Sequence, residues 1–261
     1  MTHSRKSVSS PEGADTTQSR LSAEGSGASF NEPGSTAKSL AAPTLIALAL
    51  MSGVAPLSTN LYLPAMPAMV KDLATESATV QLTLTTFLIG SGLGQVFFGP
   101  ISDRIGRRKP LLAGLTLYVA ACLIAAFSPN IELLIGARLL MGLAGSAGMV
   151  LGRAIVLDGA QSKQAASALN VMMTITGLAP VVAPLLGGVL ADPIGWRGIM
   201  GVMAAIGMVT IIMTLLFVSE SLPRQVRESR RAAGDKGGFK ALANLRYIGF
   251  GATMVCTAGV L

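Results

Sequence analysis

Six long runs of apolar residues follow one another along this chain, and they constrain its fold more than any other feature. Each run approaches the ~20 residues that an α-helix needs to cross a bilayer. We place them at Pro43–Leu63, Thr79–Ile101, Leu111–Phe127, Ile131–Ala154, Ala165–Leu190 and Gly198–Val218. Only 13% of the residues are charged, against about 25% in a typical soluble domain. The sequence therefore predicts an all-α, multi-pass membrane protein.

The apolar runs divide the chain into four parts. Residues 1–40 are rich in Ser, Gly and Thr, so we expect a disordered cytoplasmic tail, without the apolar segment of a signal peptide. Residues 41–218 hold the six predicted spans, and residues 219–246 form a basic cytoplasmic linker. Residues 247–261 begin a seventh apolar run. At ~1.5 Å per residue this run is too short to cross the hydrocarbon core, so we interpret it as the start of a truncated seventh span.

The positions of the basic residues predict the orientation. If the N-terminus is cytoplasmic, sixteen of the twenty Lys and Arg residues fall in cytoplasmic segments, including Lys163 and the linker. Only Lys71 and Arg197 then fall outside. Cytoplasmic loops of membrane proteins carry such an excess, so we predict a cytoplasmic N-terminus. Nucleic acid is not an expected partner, because the basic residues are split among loops and lack interleaved aromatic residues.

A dense basic loop separates the second and third runs. It reads Gly99-Pro-Ile-Ser-Asp-Arg-Ile-Gly-Arg-Arg-Lys-Pro110, and we call residues 99–110 the signature loop. Gly99 and Gly106 are the residue type that a tight turn between two helices requires. Asp103 can pair with a nearby arginine or cap a helix. The basic residues are expected to hold the loop at the anionic, cytoplasmic side of the bilayer.

The signature loop resembles the G-x-x-x-D-R-x-G-R-R/K motif between the second and third spans of major facilitator superfamily transporters. Other stretches, above all 61–67 (Leu-Tyr-Leu-Pro-Ala-Met-Pro) and 178–188, resemble the Bcr/CflA group of bacterial drug exporters. The resemblance implies the N-terminal six-helix half of that fold with a partial seventh span, and a C-terminal transporter half, absent here, as its partner. It implies proton-coupled efflux of small hydrophobic antibiotics across the bacterial inner membrane. The implied gating residues are Gly99, Asp103, Arg104, Gly106, Arg107 and Arg108.

The signature loop has a second copy 89 positions later. Five residues recur at the same spacing: Gly99, Asp103, Ile105, Gly106 and Arg108 return as Gly188, Asp192, Ile194, Gly195 and Arg197. An odd number of predicted spans separates the copies, so they should face opposite sides of the membrane. Transporters of this class contain three-plus-three inverted repeats, and we interpret the echo as such a repeat. Chance similarity of two short loops is the alternative. Trp196, in the second copy, is predicted to be an outer interface anchor.

Prolines and glycines are concentrated in the fifth run. The set comprises Gly177, Pro180, Pro184, Gly187 and Gly188. Proline removes a backbone donor and tends to kink a helix, while glycine lets neighbouring helices approach closely. The set resembles the antiporter motif of the superfamily, except that Ala183 stands where the motif has glycine. The resemblance implies a bent span that seals the pathway against leak; ordinary helix packing is the alternative.

Two polar residues inside the runs are candidates for the substrate or proton pathway. Arg138 lies seven residues into the fourth run, where an arginine costs about 2.5–3.5 kcal/mol on insertion scales, so it should face the bundle interior or snorkel to the interface. With Gly142 it resembles the R-x-x-x-G motif of the family, whose arginine is associated with proton handling. Asn60 stands where related exporters carry an aspartate, and asparagine cannot titrate. Because every acid falls in the tail, a loop or a helix end, no membrane-buried carboxylate is expected, so the coupling acid is expected in missing residues, or else the coupling is altered.

Enzymatic chemistry, cofactors and metal sites are not expected. The chain has one histidine, His3, and two cysteines, Cys122 and Cys256, both in apolar runs. Two alternatives to an exporter stay open: a truncated, non-transporting fragment of one, and an uptake carrier for a small metabolite. We expect the 261-residue chain not to export drugs alone, since substrates of the family bind between two halves.

Overall fold

The structure is a computed structural model that describes residues 42–159 and 162–220. All regular structure in these two ranges is helical. The helices are α1 (Ala42–Asn60), α2 (Met66–Asp72), α3 (Ser77–Ile105), α4 (Arg108–Ala126), α5 (Ile131–Gly159) and α6 (Ser162–Phe217), with a 3-10 turn at Leu63–Ala65. The predicted tail, nearly all of the predicted linker and the start of the seventh run lie outside the described residues.

Five segments of the described chain are long and apolar enough to cross a membrane, and the last of them contains two of the six predicted spans. That last helix, α6, has 56 residues, far more than the ~30 Å hydrocarbon core needs at ~1.5 Å per residue. Its backbone leaves the helical region at Gly195, where φ is +65°. We therefore divide α6 into α6a (162–194) and α6b (196–217), which correspond to the fifth and sixth apolar runs.

The first part of α6 runs parallel to α1. Ile175, early in α6a, packs beside Gly53 in α1. Gly187, later in α6a, packs beside the carbonyl group of Leu61, just after α1 ends. The two helices, α1 and α6a, therefore run in the same direction across the bundle.

The second part of α6 runs in the opposite direction. Arg197, at the start of α6b, pairs with Asp72 at the end of α2. Phe217, at the end of α6b, accepts a hydrogen bond from the Thr44 hydroxyl at the start of α1. The chain therefore reverses at Gly195, and α6 is a helical hairpin. We call the end of the bundle with this reversal the hairpin end, and the end with the signature loop the signature end.

The first predicted span is longer than its apolar run and is interrupted. The prediction carried one helix to Leu63, but α1 ends at Asn60 and the chain continues through the 3-10 turn into α2. Pro64 and Pro67 lie at the starts of the two segments after the interruption. Proline lacks a backbone donor, so a continuous α-helix through this stretch would lose hydrogen bonds.

Glycines bring α3 and α5 into close contact. A Cβ atom added at Gly90 would collide with the carbonyl of Leu139, and one added at Gly142 would collide with the carbonyl of Phe87. Such contacts are typical of membrane helices, which associate by packing small residues against neighbouring backbones. This contact fixes α5, and with it Arg138, against α3.

Candidate functional site

The signature loop makes its turn at Gly106. α3 ends at Ile105 and α4 begins at Arg108, and Gly106 between them has a φ of +103°, a conformation that L side chains rarely adopt. A Cβ atom at this position would also lie 2.7 Å from Glu220 Oε2. The predicted turn is therefore confirmed at Gly106. The same prediction for Gly99 is wrong, because Gly99 lies inside α3 with open space where a Cβ would be.

Arg107 joins the end of α3 to the end of α5. Its Nη1 atom lies 2.8 Å from Asp103 Oδ1 and donates a hydrogen bond of 2.6 Å to Ser102 Oγ. Its Nε atom donates to Asp158 Oδ2, near the end of α5, at 2.9 Å. The Arg107 and Asp158 side chains are 11% and 25% exposed, so this pair is better shielded from water than an ordinary surface ion pair, whereas Asp103 is 43% exposed.

Glu220, just beyond α6b, completes the signature end. Its Oε1 atom accepts the backbone N–H of Arg107 at 2.8 Å, and its Oε2 atom accepts that of Arg108 at 3.2 Å. The first N–H groups of α4 have no partner within their own helix, and a carboxylate also suits the positive end of the helix dipole. Arg108 in turn donates from Nη2 to the carbonyl of Leu215 in α6b at 3.0 Å. Arg104, also predicted for the gating loop, is exposed.

Sequence reasoning missed both Asp158 and Glu220. Each is an acid at the end of an apolar run, on the same predicted side as the signature loop. The loop itself carries one acid, Asp103, and four basic residues. The excess of basic residues in the loop and the acids at the ends of other apolar runs could therefore have predicted that Asp158 and Glu220 contact the loop.

Arg138 lies in the interior of the bundle and does not snorkel to an interface. Its side chain is fully buried, at 0% exposure. Its Nη1 and Nη2 atoms donate to the carbonyl of Ser58 at 3.2 and 3.3 Å. The guanidinium carbon lies 3.9 Å from the centre of the Tyr62 ring and 4.6 Å from that of Phe87. Arg138 thus connects α5 to the α1–α2 segment and to α3.

The charge of Arg138 is balanced without a carboxylate. Ser58 lies in the last turn of α1, where the backbone carbonyls carry the negative end of the helix dipole. Each aromatic face adds a cation–π attraction, which reaches about 2 kcal/mol when desolvated. The buried polar and charged residues of the described chain include no Asp or Glu. Within the part of the chain that the structure describes, the Nε atom of Arg138 has no hydrogen-bond partner.

A second hydrogen bond fixes the same turn of α1. The Ser58 hydroxyl donates to the carbonyl of Val54 at 2.7 Å and is hydrogen-bonded to the Tyr118 hydroxyl of α4. Because a serine hydroxyl has one proton, Tyr118 must be the donor to Ser58. Tyr118 is fully buried and was not predicted; a tyrosine inside an apolar run was the signal, since a buried hydroxyl needs a partner.

Asn60, the other predicted pathway residue, is engaged by its own helix. Its Nδ2 atom donates to the carbonyl of Pro56 at 2.8 Å, and its side chain is partly buried. No hydrogen bond in the described residues joins Asn60 to Arg138. The two residues therefore do not form the direct pair that an aspartate at position 60 could have formed.

The predicted antiporter motif lies entirely on α6a, and its residues differ in packing. A Cβ atom added at Gly187 would collide with the carbonyl of Leu61, so this glycine permits the contact between α6a and α1. No atom of the described residues lies within 4 Å of a Cβ added at Gly177 or Gly188. Helical geometry continues past Pro180 and Pro184, and within α6 it is lost only at the hairpin. Gly187 of this motif therefore packs against the same end of α1 that Arg138 contacts, whereas the signature loop lies at the signature end.

Comparison with known proteins shows the family. The sequence profile of the Major Facilitator Superfamily matches residues 48–261. The MFS-type transporter YdgK of Bacillus subtilis is 41% identical over 182 residues, which are 69% of this chain and 45% of the relative. The chloramphenicol resistance protein of Pseudomonas aeruginosa is 38% identical over 159 residues, which are 60% of this chain and 38% of the relative.

A solved structure shows the fold. The human organic anion transporter MFSD10 matches with a TM-score of 0.57 at 20% identity, over 71% of this chain and 49% of that one. The chain spans about half the length of the curated relatives it matches. These findings confirm the predicted half of the major facilitator fold and the resemblance to the Bcr/CflA group of exporters. The chain belongs to the Major Facilitator Superfamily.

Proposed function

We propose that this chain forms the N-terminal half of a proton-coupled drug exporter of the bacterial inner membrane. In this proposal the N-terminus and the signature end are cytoplasmic, and the substrates are small hydrophobic antibiotics. The observation that carries the proposal is the 38% identity to a chloramphenicol resistance protein. The sixteen of twenty basic residues on the predicted cytoplasmic side support the orientation.

The half is proposed to move as one body during transport. Alternating access in transporters of this class is largely a rocking of one half against the other. Arg107 and Glu220 connect the ends of α3, α4, α5 and α6b, and Arg138 connects three helices in the interior. Because these contacts cross between helices, they oppose relative movement within the half.

The second half is proposed to cover α3. The most apolar window of α3 is only 28% buried within the described chain, whereas that of α5 is 61% buried. Leu82, Leu88 and Leu93 are exposed along α3. Gly99, on the same helix, has open space around it, which leaves room for the backbone of another helix to approach. Asp103 at the end of α3 is then placed to act at the junction between the halves.

The carboxylate that couples transport to protons is proposed to lie in the second half. A proton antiporter needs a titratable group in its pathway. Asn60 cannot supply it, and the buried polar residues of the described spans are Ser and Thr with Arg138. Arg138 is proposed to act as a fixed positive charge that lowers the proton affinity of that acid.

The test measures chloramphenicol accumulation in a pump-deficient bacterium. The 261-residue chain is compared with a twelve-span version whose C-terminal half comes from the P. aeruginosa relative. We expect efflux only from the twelve-span version, and we expect a protonophore to abolish it. If that version inserts but leaves accumulation unchanged while the intact relative lowers it, the proposal is wrong. Energy-dependent efflux by the short chain would refute the need for a second half.

A further inference from the structure

The two ends of the half are built alike. An offset of 89 positions carries Arg108, where α4 begins, onto Arg197, the second residue of α6b. The same offset carries Gly106 onto Gly195, and both glycines have positive φ, +103° and +65°. A left-handed glycine followed by a helix start thus recurs at one offset, to within one residue. The sequence echo is therefore a structural repeat, and chance similarity of two loops does not explain it.

Equivalent arginines make equivalent contacts in the two copies. Arg108, at the start of α4, donates from Nη2 to the carbonyl of Leu215 in the last turn of α6b at 3.0 Å. Arg197, its counterpart at the start of α6b, donates from Nη2 to the carbonyl of Ser128, just beyond α4, at 3.3 Å. Each arginine therefore binds one backbone carbonyl in the last turn of, or just beyond, the third helix of the other repeat, near the negative end of its dipole. At the same offset Leu215 corresponds to Ala126, two residues before Ser128, so the two contacts are similar in place but not identical in register.

An acid completes each end. At the signature end Arg107 pairs with Asp158 near the end of α5 at 2.9 Å. At the hairpin end Asp72, at the end of α2, accepts Arg197 Nη1 at 2.6 Å and Trp196 Nε1 at 3.0 Å. The Arg197 guanidinium also lies over the Trp196 ring, 4.1 Å from its centre. Trp196 is only 2% exposed, so the prediction that it anchors the protein at the membrane interface is wrong.

We infer that Arg197 is the positioning residue of a latch at the hairpin end, which we call the hairpin latch (Asp72, Trp196 and Arg197). The latch joins the ends of α2, α4 and α6b, at the end of the bundle opposite the signature loop. Arg197 and Asp72 are 43% and 54% exposed, and the Trp196 ring is the buried member of the latch. The inference rests on the contacts of the described residues and holds whether or not the chain takes part in drug export.

The fluorescence of Trp196 tests the latch directly, because the chain has a single tryptophan. In the detergent-purified chain, Asp72→Ala should raise the acrylamide quenching constant roughly two-fold or more, since a buried indole N–H that loses its acceptor turns to water. Asp192→Ala is the matched control. Asp192 is an exposed acid four residues before Trp196, and its loss should leave the quenching constant at the parental value. Parental quenching in Asp72→Ala, or equal quenching in the two variants, would overturn the inference.

Hydrogen exchange distinguishes a latch from a general loss of stability, because it reports local opening segment by segment. Arg197→Ala should speed exchange in residues 66–72 and 124–130 and leave residues 99–110 at parental rates. Arg107→Ala should give the reverse pattern, and Arg197→Lys, which keeps the charge opposite Asp72, should recover part of the protection. Equally faster exchange at both ends in Arg197→Ala would refute the latch. Neither measurement involves transport, so a failure here is distinct from a failure of the proposed function.

Discussion

Gly142→Ala tests whether the glycine contact between α3 and α5 holds the half together. The added methyl carbon would lie 2.8 Å from the Phe87 carbonyl carbon and 2.9 Å from the Ser91 nitrogen, and it would collide with the Phe87 carbonyl oxygen. All three atoms belong to the backbone, so no side-chain rotation relieves the overlap and the two helices must separate. Overpacking typically costs about 1–3 kcal/mol, and a backbone collision belongs at the upper end of that range.

Gly136→Ala is the control for this prediction. Gly136 lies on the same helix, and nothing lies within 4 Å of a Cβ added there. Alanine in place of glycine favours a helix interior by up to ~1 kcal/mol, and both variants share that gain. In SDS unfolding of the purified chain, we expect Gly142→Ala to be about 2–3 kcal/mol less stable than Gly136→Ala. Equal unfolding free energies for the two variants would refute the assigned contact.

Three further predictions address the buried arginine, the signature end and the orientation. Tyr62→Leu removes the nearer aromatic face from Arg138 and should lower the unfolding free energy by about 1–2 kcal/mol; a loss of the same size in an Arg138→Met background would show that the ring does not act on the charge. Glu220→Gln leaves one acceptor oxygen for two backbone N–H groups and removes the charge at the start of α4, so SDS unfolding should show a loss of about 1 kcal/mol, whereas parental stability would contradict the contact. In a cysteine-free background, an impermeant reagent should label a cysteine at position 71 in intact cells and one at position 163 only after permeabilisation; the opposite pattern would overturn the proposed orientation.

The sequence predicted the helices and the turn at Gly106, but not the interruption of the first span or the exact residue at which the fifth and sixth runs reverse. Long apolar runs must be helical in a bilayer, because the backbone has no other way to satisfy its polar groups within a single segment. Hydropathy does not show a reversal, so the prediction left several residues between the fifth and sixth runs where the structure turns at Gly195 alone. Pro64 and Pro67 are present in the sequence, but proline is tolerated at a helix start as well as at a kink. Their positions therefore indicate an interruption only once α1 is known to end at Asn60.

The sequence likewise identified the residues of the signature loop but not the acids that contact them. The loop residues are neighbours in sequence, so their spacing could be matched to a motif. Asp158 and Glu220 lie 51 and 113 positions from Arg107, and only the packing of α5 and α6b brings them to it. Trp196 shows the converse error: a tryptophan beside an arginine near the end of an apolar run suggests an interface anchor, but the acceptor at Asp72 turns its ring into the bundle.

The interruption of the first span explains how Arg138 is held with an asparagine at position 60. Had Arg138 depended on a carboxylate at position 60, losing it would leave an unpaired buried charge, at a cost of about 3–5 kcal/mol. The guanidinium instead contacts the carbonyl of Ser58 and the ring of Tyr62, which lie on either side of the end of α1. Ending the helix at Asn60 thus supplies both the negative end of a helix dipole and an aromatic face. Within the described residues Arg138 is therefore held by a backbone carbonyl and an aromatic ring, and its charge is left to act on the acid that we propose for the second half.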